Sequence, residues 1–315
     1  MLKKIKELFI PQQLLKGNCG IEREMLRVDK DGYLSFTDHP EIFGDKVLNP
    51  YITTDFSESQ VEVITPALDK IEETYSFLKA LYDIVALEIG DEILWPQSMP
   101  CFIPEDDEIP VAKYSEEGRE AEEYRNKLLK KYGGKKQLIS GIHYNYSFNE
   151  EIIRKLYESS DKELTYKEYK NSIYLKVTRN YLRYRWIIVY LLGAAPVIHE
   201  SFLNGCSCKL KQISEDGYTL DGAVSHRNGE CGYRNKEELY PNYDTVEDYV
   251  ESINKYVNDG VIDSHKELYS QVRLKAKEPK NFLNSLLEDG ISYLEYRSID
   301  INPFEKGGIS LNDLY

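Results

Sequence analysis

The stretch GNCGIEREMLRV, residues 17–28, decides how the rest of the chain is interpreted. It has the pattern of a β-strand, in which side chains two residues apart point the same way. Glu22 and Glu24 therefore share one face, while Ile21 and Met25 share the opposite face. Adjacent carboxylates on one face are typical of a solvated sheet edge or of a site that holds cations, and a single pair is more often a solvated edge.

Composition restricts the class of protein. The chain has 315 residues, with 54 acidic against 40 basic side chains and a formal net charge of −14. Binding to nucleic acid or to an anionic membrane depends on basic patches, so this charge argues against both as partners. A nucleotide held through Mg²⁺ remains compatible with it.

The sequence shows no sign of a signal peptide or a membrane span. The longest apolar run, WIIVYLLGAAPVI at 186–198, is too short to span a bilayer and is interpreted as a buried helix end. The N-terminal MLKKIKELFIPQQ lacks the apolar core of a secretory signal, so we expect a cytoplasmic protein. The five irregularly spaced cysteines are expected to be free thiols, with a metal or redox site at Cys206 and Cys208 as the less favoured alternative.

Helix and strand patterns follow each other without a regular βαβ rhythm. Apolar residues at helical spacing predict helices at 1–16, 71–89, 116–131 and 165–192. Strand patterns fall at 20–28, 60–65, 139–148, 218–224 and 291–299. This mixture favours an α+β fold with a largely antiparallel sheet in one domain over a doubly wound parallel sheet.

The arrangement of the opening stretch recurs in three further predicted strands. In each of them, residues that can bind a metal or a phosphate alternate with apolar residues such as Val61, Val63 and Leu294. The polar residues on these faces are Asp55, Glu58, Gln60, Glu62, His143, Asn145, Glu295 and Arg297.

If the four strands share one sheet, their acidic residues converge. Packed carboxylates repel and raise one another's pKa unless a cation neutralises them. Mg²⁺ bridging carboxylates to nucleotide phosphates is a common use of such a cluster. The chain contains none of the motifs GxxxxGK[ST], GxGxxG, HExxH and GxSxG. A nucleotide site would therefore be built from metal ions and scattered Arg and Lys.

Several long blocks, in order from about residue 17 to the C-terminus, resemble one protein family. They are GIEREMLRV, HPEIFGDKVLNPYITTDFSESQVEVITP, WPQSMPCFIPEDDEI, YRNKLLKKYGGKKQLISGIHYNYSF, SHRNGECGYRNK and EYRSIDINPF. The chain resembles bacterial glutamate–cysteine ligase (γ-glutamylcysteine synthetase), especially the ligase part of bifunctional glutathione-synthesising enzymes.

The resemblance implies a glutamine-synthetase-like curved sheet, with the active site on its concave polar face and helices on the other side. It implies that ATP phosphorylates the side-chain carboxylate of L-glutamate and that the amine of L-cysteine displaces the phosphate. The product would be γ-glutamylcysteine, made in the first step of glutathione biosynthesis. ATP would be the co-substrate, and Mg²⁺ or Mn²⁺ the metal. The other hypotheses are a ligase that joins glutamate to another amine, and a non-catalytic fragment that binds nucleotide.

The resemblance also implies roles for individual residues. The metal shell would consist of Glu22, Glu24, Asp55, Glu62, His143 and Glu295. Arg297, beside Glu295, would steady the transferring phosphoryl group. Substrate contacts would come from Gln137, Asn145, Arg227 and Tyr269. The cysteine pocket would be walled by Phe56, Tyr124, Leu128 and Tyr233. Arg273, together with Arg297, would reach nucleotide phosphate.

The end of the chain departs from the family, whose members carry further helices after the INPF block. Ser310 has the pattern of a helix N-cap, with Asp313 in the first turn. We therefore expect residues 1–315 to be a single catalytic domain that lacks its C-terminal helices. In that case Leu294 and Tyr296 would be partly exposed, and the ligase activity would be low.

Overall fold

The computed structural model describes residues 2–206 and 208–315, which form eight α-helices and ten β-strands joined by loops and short 3₁₀ turns. The helices are α1 (Leu2–Leu8), α2 (Pro11–Leu14), α3 (Ile71–Glu88), α4 (Arg119–Tyr132), α5 (Glu150–Glu158), α6 (Tyr166–Leu192), α7 (Val246–Asn258) and α8 (Phe282–Asp289). The strands are β1 (Gly17–Val28), β2 (Ile52–Thr54), β3 (Gln60–Ile64), β4 (Ile93–Leu94), β5 (Ile142–Phe148), β6 (Ile198–His199), β7 (Lys211–Gln212), β8 (Gly217–Thr219), β9 (Val272–Lys275) and β10 (Tyr293–Ile299).

A seven-stranded sheet organises the chain. Its strands follow the order β2-β3-β1-β5-β10-β9, and β4 pairs with the C-terminal end of β1. Every pair in this sheet is antiparallel, and a small second sheet has the order β6-β8-β7. The prediction of an α+β fold with a largely antiparallel sheet is therefore confirmed, and the four strands that carry the polar residues do share one sheet.

The apolar face of β1 builds the first core. Ile21 and Met25 are completely buried, and they share a cluster with Val63 of β3 and with Leu78 and Val85 of α3. Burying one such side chain contributes about 1.5–3 kcal/mol. The predicted alternation along β1 is therefore correct, because its apolar members face α3 and leave the opposite face to the glutamates.

Helix α6 covers the other half of the sheet. Its Tyr174 and Leu175 are buried in one cluster with Leu294 of β10, against which Tyr296 also packs. Tyr296 is partly exposed, but Leu294 is only 1% exposed, so the expectation that Leu294 would be partly exposed is wrong. The reason is that α6, which begins at a capping box between Thr165 and Glu168, already lies over this part of the sheet.

The C-terminal end of α6 is not buried as predicted. Trp186, Tyr190 and Leu191 are each more than 60% exposed. The apolar run extends around the whole circumference of the helix, whereas only one stripe of a helix can face the sheet. Within the described residues, no helix combines the length and apolar character needed to cross a bilayer.

Several boundaries differ from the sequence predictions. The helix expected at 1–16 is divided into α1 and α2, because Pro11 begins a new helix. The strand expected at 218–224 is reduced to Gly217–Thr219. At the end of the chain a 3₁₀ turn at Asn312–Leu314 replaces the expected α-helix, although the Asp313 backbone N–H does donate to Ser310 Oγ at 3.2 Å.

The cysteines are not all free thiols, which corrects the prediction. A disulfide joins Cys206 to Cys231, while Cys19, Cys101 and Cys208 remain thiols.

One buried histidine makes the stability of this fold depend on pH. His39 is 7% exposed, packs against Phe43, and has no hydrogen-bond partner for either ring nitrogen among the described residues. Burial, together with the nearby charges of Lys46 and Arg27, lowers the pKa of His39 to about 4. Between about pH 6.5 and 4 the unfolded chain binds a proton that the folded chain excludes, so stability falls as the pH falls through this window.

We predict that His39→Phe makes the free energy of unfolding less dependent on pH between 6.5 and 4. The phenyl ring can keep the contact with Phe43 and cannot take a proton. Urea unfolding at a series of pH values measures the effect. His265, whose pKa is also lowered to about 4 by burial, is present in both proteins and keeps a residual slope in the variant. Parallel curves for variant and parent would show that His39 is not the group responsible.

Candidate active site

Strand register assembles the polar residues into one row across the sheet. Antiparallel pairing sets residues of neighbouring strands opposite each other, and the polar members fall on the same face. From one edge to the other, the pairs are Glu62–Glu24, Glu22–His143, Asn145–Glu295 and Glu295–Arg273. The convergence that the sequence predicted is therefore present.

A cavity of about 750 Å³ opens over this row. Most of the predicted site residues line it: Glu22, Glu24, Asp55, Phe56, Glu62, Tyr124, Leu128, Gln137, His143, Arg227, Tyr233, Tyr269, Arg273 and Arg297. The two others lie beside it. Asn145 donates from Nδ2 to Glu22 Oε1 at 2.8 Å, and Glu295 is buried at 2% exposure. The structure thus brings the predicted residues together, and their individual roles stay predictions.

His143 joins the glutamates of the opening stretch. Its Nδ1 lies 3.1 Å from Glu22 Oε2, and its Nε2 lies 3.5 Å from Glu24 Oε1. The Gly141 backbone N–H donates to Glu24 Oε2 at 2.9 Å. One imidazole therefore contacts two carboxylates that β1 holds on the same face.

Two overlapping groups of side chains have the composition of a metal site. Glu22, His143 and Glu295 form one group, and Glu24, Glu62 and His143 form the other. In each group the potential ligand atoms lie within 4.8 Å of one another. Carboxylate oxygens with a single imidazole suit Mg²⁺ or Mn²⁺ better than a soft metal, so the residues present fit a hard divalent cation.

The electrostatics of the row differ between its two ends. Burial raises the pKa of Glu62 well above its usual range, and the charges of Glu22, Asp55 and Glu24 raise it further. Burial, with Asp55, also raises the pKa of Glu24 against the opposing effect of His143. This end of the cavity therefore holds several carboxylates with too little positive charge to balance them, which is the condition that favours binding of a cation.

The other end of the row is rich in cations. Glu295 Oε1 lies 3.1 Å from Lys275 Nζ, and Glu295 Oε2 lies 3.4 Å from Arg297 Nη1. Burial raises the pKa of Glu295, but Arg297 and Lys275 outweigh burial and hold the pKa below its usual range. Conversely, burial lowers the pKa of Arg297, while Glu295, Glu24 and Glu22 outweigh burial and raise it. Both side chains are therefore charged in the folded chain.

Arg227 occupies a cradle that depends on glycine. A Cβ atom at Gly141 would lie 2.1 Å from Arg227 Nη2, so a larger residue there would displace the guanidinium. Arg227 Nη1 lies 3.9 Å from Asp300 Oδ1, which is a loose ion pair. Within the described part of the chain, Arg227 Nη1 has no hydrogen-bond partner. This leaves Arg227 able to bind an anionic group in the cavity.

An aromatic wall closes one side of the cavity. The rings of Tyr233 and Tyr269 have centroids 4.1 Å apart, and the Tyr233 hydroxyl donates to Gln137 Oε1 at 2.5 Å. Burial raises the pKa of the third tyrosine, Tyr124, to about 12. Among the described residues, the buried Tyr269 hydroxyl and Gln137 Nε2 have no hydrogen-bond partner. Leaving such groups unpaired costs about 1–3 kcal/mol each, which a polar ligand would remove.

Arg273 is more occupied than the sequence suggested. Its Nε donates to the Leu268 carbonyl at 3.0 Å, and its Nη2 donates to the carbonyls of Leu268 and Lys266 at 2.7 and 2.9 Å. Arg273 therefore fixes the segment that carries Tyr269, in addition to lining the cavity.

Sequence reasoning missed other residues of the site. Lys275 pairs with Glu295 and belongs to β9, whose alternating sequence VRLK is only four residues long and is too short to be recognised as a strand. Arg125 lines the cavity and donates from Nη2 to the Thr54 carbonyl at 3.4 Å. Its position directly after Tyr124, in a block already noted, was the available signal. Asn228 also lines the cavity and donates from Nδ2 to the Ser298 carbonyl at 3.0 Å.

Two polar residues assigned to the row lie outside it. Glu58 precedes β3 in a turn, where its Oε1 accepts from Lys46 Nζ at 2.5 Å and its Oε2 accepts from the His39 backbone N–H at 2.8 Å. Gln60 Nε2 donates to Ser140 Oγ at 3.2 Å and does not line the cavity. The alternation of a strand cannot be extended into the turn that holds Glu58. Gln60 lies within β3, but it pairs with Leu26 of β1, beyond the end of the row of polar residues.

The fold and the cavity define an α+β protein whose sheet face combines a cation-binding end with an anion-binding end. Comparison with known proteins then identifies the family, because the family model of glutamate–cysteine ligase matches residues 2–259 and 254–315. The chain belongs to the glutamate–cysteine ligase family.

Individual relatives agree with this assignment. The chain is 45% identical to the glutathione biosynthesis bifunctional protein GshAB of Clostridium perfringens, an alignment that covers 100% of this chain and 40% of that protein. It is 44% identical to the GshAB protein of Desulfotalea psychrophila, covering 96% of this chain and 38% of that one. The chain thus spans about 40% of the length of the curated relatives it matches.

Two solved structures share the fold. A bifunctional glutathione synthetase from Pasteurella multocida has a TM-score of 0.84 at 37% identity, and the alignment covers 96% of this chain and 38% of that protein. A glutamate–cysteine ligase from Francisella tularensis, solved in complex with AMP, has a TM-score of 0.83 at 30% identity. The alignment covers 94% of this chain and 63% of that protein.

We predict that Glu22→Gln and Glu62→Gln each weaken Mn²⁺ binding at least about tenfold while the chain stays folded. The amide keeps the shape of the side chain but loses the charge that holds a hard cation. Mn²⁺ binding followed by electron paramagnetic resonance measures the affinity. Glu88→Gln, which changes an exposed carboxylate on α3, is the matched control. If both variants bind Mn²⁺ like the parent, the row is only a polar face.

Proposed function

We propose that this chain carries the catalytic site of an ATP-dependent ligase that joins the side-chain carboxylate of L-glutamate to the amine of L-cysteine and forms γ-glutamylcysteine. The observation that carries the proposal is one cavity in which an unbalanced carboxylate cluster lies next to half-buried arginines. Residues 1–315 act as one catalytic domain in this proposal. The Francisella tularensis relative was solved in complex with AMP, which supports an adenine nucleotide as a ligand of this chain.

Phosphoryl transfer depends mainly on positioning and on neutralising negative charge. Glu22, Glu24, Asp55, Glu62, His143 and Glu295 are the residues that would hold the divalent cations. Mg²⁺ or Mn²⁺ bound there would neutralise charge on the nucleotide phosphates. Arg297 is held by its ion pair with Glu295 and would donate to the transferred phosphoryl group. Its planar fork can donate to two oxygens of that group at once.

The side chain of the acceptor, L-cysteine, contacts the aromatic wall of the cavity. Phe56, Tyr124, Leu128 and Tyr233 give this wall a largely apolar and aromatic surface that suits a small thiol side chain. The unpaired hydroxyl of Tyr269 and the unpaired amide of Gln137 supply polar contacts for the substrates. Arg227, in its glycine cradle, binds a substrate carboxylate.

Two alternatives use the same cavity. A ligase for a different amine would share the phosphoryl-transfer end and differ only at the aromatic wall. A non-catalytic fragment would bind nucleotide without turnover. Phosphate release from ATP, measured with L-glutamate and with or without a panel of amino acids, separates the three. We expect release that requires both L-glutamate and L-cysteine and equals the γ-glutamylcysteine formed. Nucleotide binding without release would support the fragment.

We predict that Arg297→Lys lowers kcat at least about a hundredfold and changes the KM for ATP less than about threefold. Lysine keeps the charge but loses the fork that holds two oxygens of the transferring group. Steady-state kinetics separate the two parameters. Arg183→Lys, on the exposed side of α6, is the control and should match the parent. Equal losses in kcat and in ATP affinity would make Arg297 a general nucleotide contact.

We predict that L-2-aminobutyrate, in which a methyl group replaces the thiol, is accepted with a kcat/KM about 10- to 100-fold below that of L-cysteine. An apolar pocket distinguishes such similar groups by only about 1–3 kcal/mol. Competition between the two amino acids in one assay gives the ratio directly. Ammonia serving as well as L-cysteine would instead indicate the ligase for another amine.

A further inference from the structure

Three cysteines meet at one point beside the candidate active site. Cys206 and Cys231 form the disulfide, and the Sγ atom of Cys208 lies 3.2 Å from the Sγ atom of Cys231. All three sulfur atoms lie within 4.8 Å of one another. Cys19 and Cys101, the other two cysteines, are buried elsewhere and remain thiols.

The cluster connects two segments of the chain. Cys206 follows the 3₁₀ turn Glu200–Gly205, and Cys231 lies in the segment 225–235, which carries the cavity residues Arg227 and Tyr233. Cys231 is completely buried, whereas Cys206 and Cys208 are half-buried. The sulfur of Cys231 is therefore shielded, and solvent has better access to its two neighbours.

The backbone beside Cys231 is packed directly against a residue of the cavity. A Cβ atom at Gly232 would lie 1.9 Å from the carbonyl oxygen of Arg227. The Gly232 backbone N–H also donates to the Gly229 carbonyl at 3.1 Å. Because the segment folds back on itself so closely, the bond that fixes Cys231 also fixes the part of the chain that carries Arg227.

A purely structural disulfide needs two cysteines, and here a third thiol lies in contact with one of the bonded sulfurs. We propose that Cys206, Cys208 and Cys231 form a thiol–disulfide exchange site, which responds to low-molecular-weight thiols and whose bonded state holds the segment 225–235 in place.

The exchange of one disulfide for the other involves no net oxidation and needs no external oxidant. Cys208 loses its proton to solvent, and the thiolate attacks the sulfur of Cys231. A Cys208–Cys231 bond forms, the Cys206–Cys231 bond breaks, and the electron pair leaves on Cys206, which takes up a proton. Full reduction uses two molecules of a low-molecular-weight thiol, which are oxidised to their disulfide while two protein thiols are formed.

The two bonded states have the same effect on the segment. Each links Cys231 covalently to Cys206 or to Cys208, and the Cys206–Cys231 bond closes a chain separation of 25 residues. Full reduction removes this covalent link and increases the conformational freedom of the segment 225–235. Three reduced sulfurs could instead bind a soft metal ion such as Zn²⁺. The bond between two of the sulfurs favours exchange.

Disulfide mapping of the whole chain tests the exchange. The protein is equilibrated in glutathione buffers of different redox ratio, blocked with N-ethylmaleimide, digested and analysed by mass spectrometry. We expect both Cys206–Cys231 and Cys208–Cys231 peptides from the parent, only the second from Cys206→Ser, and only the first from Cys208→Ser. Cys101→Ser, which removes a remote buried thiol, should behave like the parent.

Two outcomes of the mapping would overturn the proposal. Absence of the Cys208–Cys231 peptide from both the parent and Cys206→Ser would leave a structural disulfide only. A cluster that stays reduced in every buffer and binds one Zn²⁺ per chain, with binding lost in each of the three serine variants, would be a metal site.

Hydrogen–deuterium exchange tests the effect on the segment. Amides of residues 225–235 should exchange at least about tenfold faster in the reduced parent than in the oxidised parent, because the covalent link is lost. Cys231→Ser should exchange rapidly in both buffers. Equal rates in the oxidised and reduced parent would refute the role of the bonded state in holding the segment.

Discussion

Repulsion among carboxylates on one face of β1 is the constraint on which the rest of the structure depends. Glu22 and Glu24 face the cavity because Ile21 and Met25, on the other face, fill the core beneath α3. A slip of one residue in the register would place the glutamates in that core and the apolar residues in the cavity. The alternation that places apolar residues in the core therefore also places the glutamates in the cavity. A change of register in this strand would disturb both the core and the cavity.

Positive and negative side chains are distributed unevenly along the row, and this uneven distribution determines which ligands the two ends can bind. At one end, Glu24 and Glu62 lie close together without a matching cation from the described residues, and their pKa values are raised. At the other end, Lys275 and Arg297 flank Glu295 and keep it ionised. A cation is therefore attracted to the first end and an anionic group to the second. A phosphorylated ligand bound together with a metal ion would meet both conditions in one cavity.

The sequence predicted the parts of the molecule that obey a simple period. Strands β1, β3, β5 and β10 were found because polar and apolar residues alternate in them, and their convergence followed once they shared a sheet. The exposed end of α6 was misjudged, because a run that is apolar on all sides does not reveal which side is covered. Lys275 was missed because β9 has only four residues, and the involvement of Arg273 with backbone carbonyls leaves no trace in the pattern of side chains.

The remaining part of the cavity is lined by residues of α4, of α6 and of irregular segments, and not by the sheet. Arg227 lies where it does because Gly141 leaves room for its guanidinium and because the backbone at Gly232 packs against its carbonyl. Such close approaches depend on contacts that form only in the folded chain. They cannot be predicted from the periodicity or the spacing of residues in the sequence. The sheet thus supplies the charges, which a reader of the sequence can locate. The helices α4 and α6 and the loops complete the surface around a ligand. The position of Arg227 in that surface depends on what holds the segment 225–235 in place, including the sulfur of Cys231.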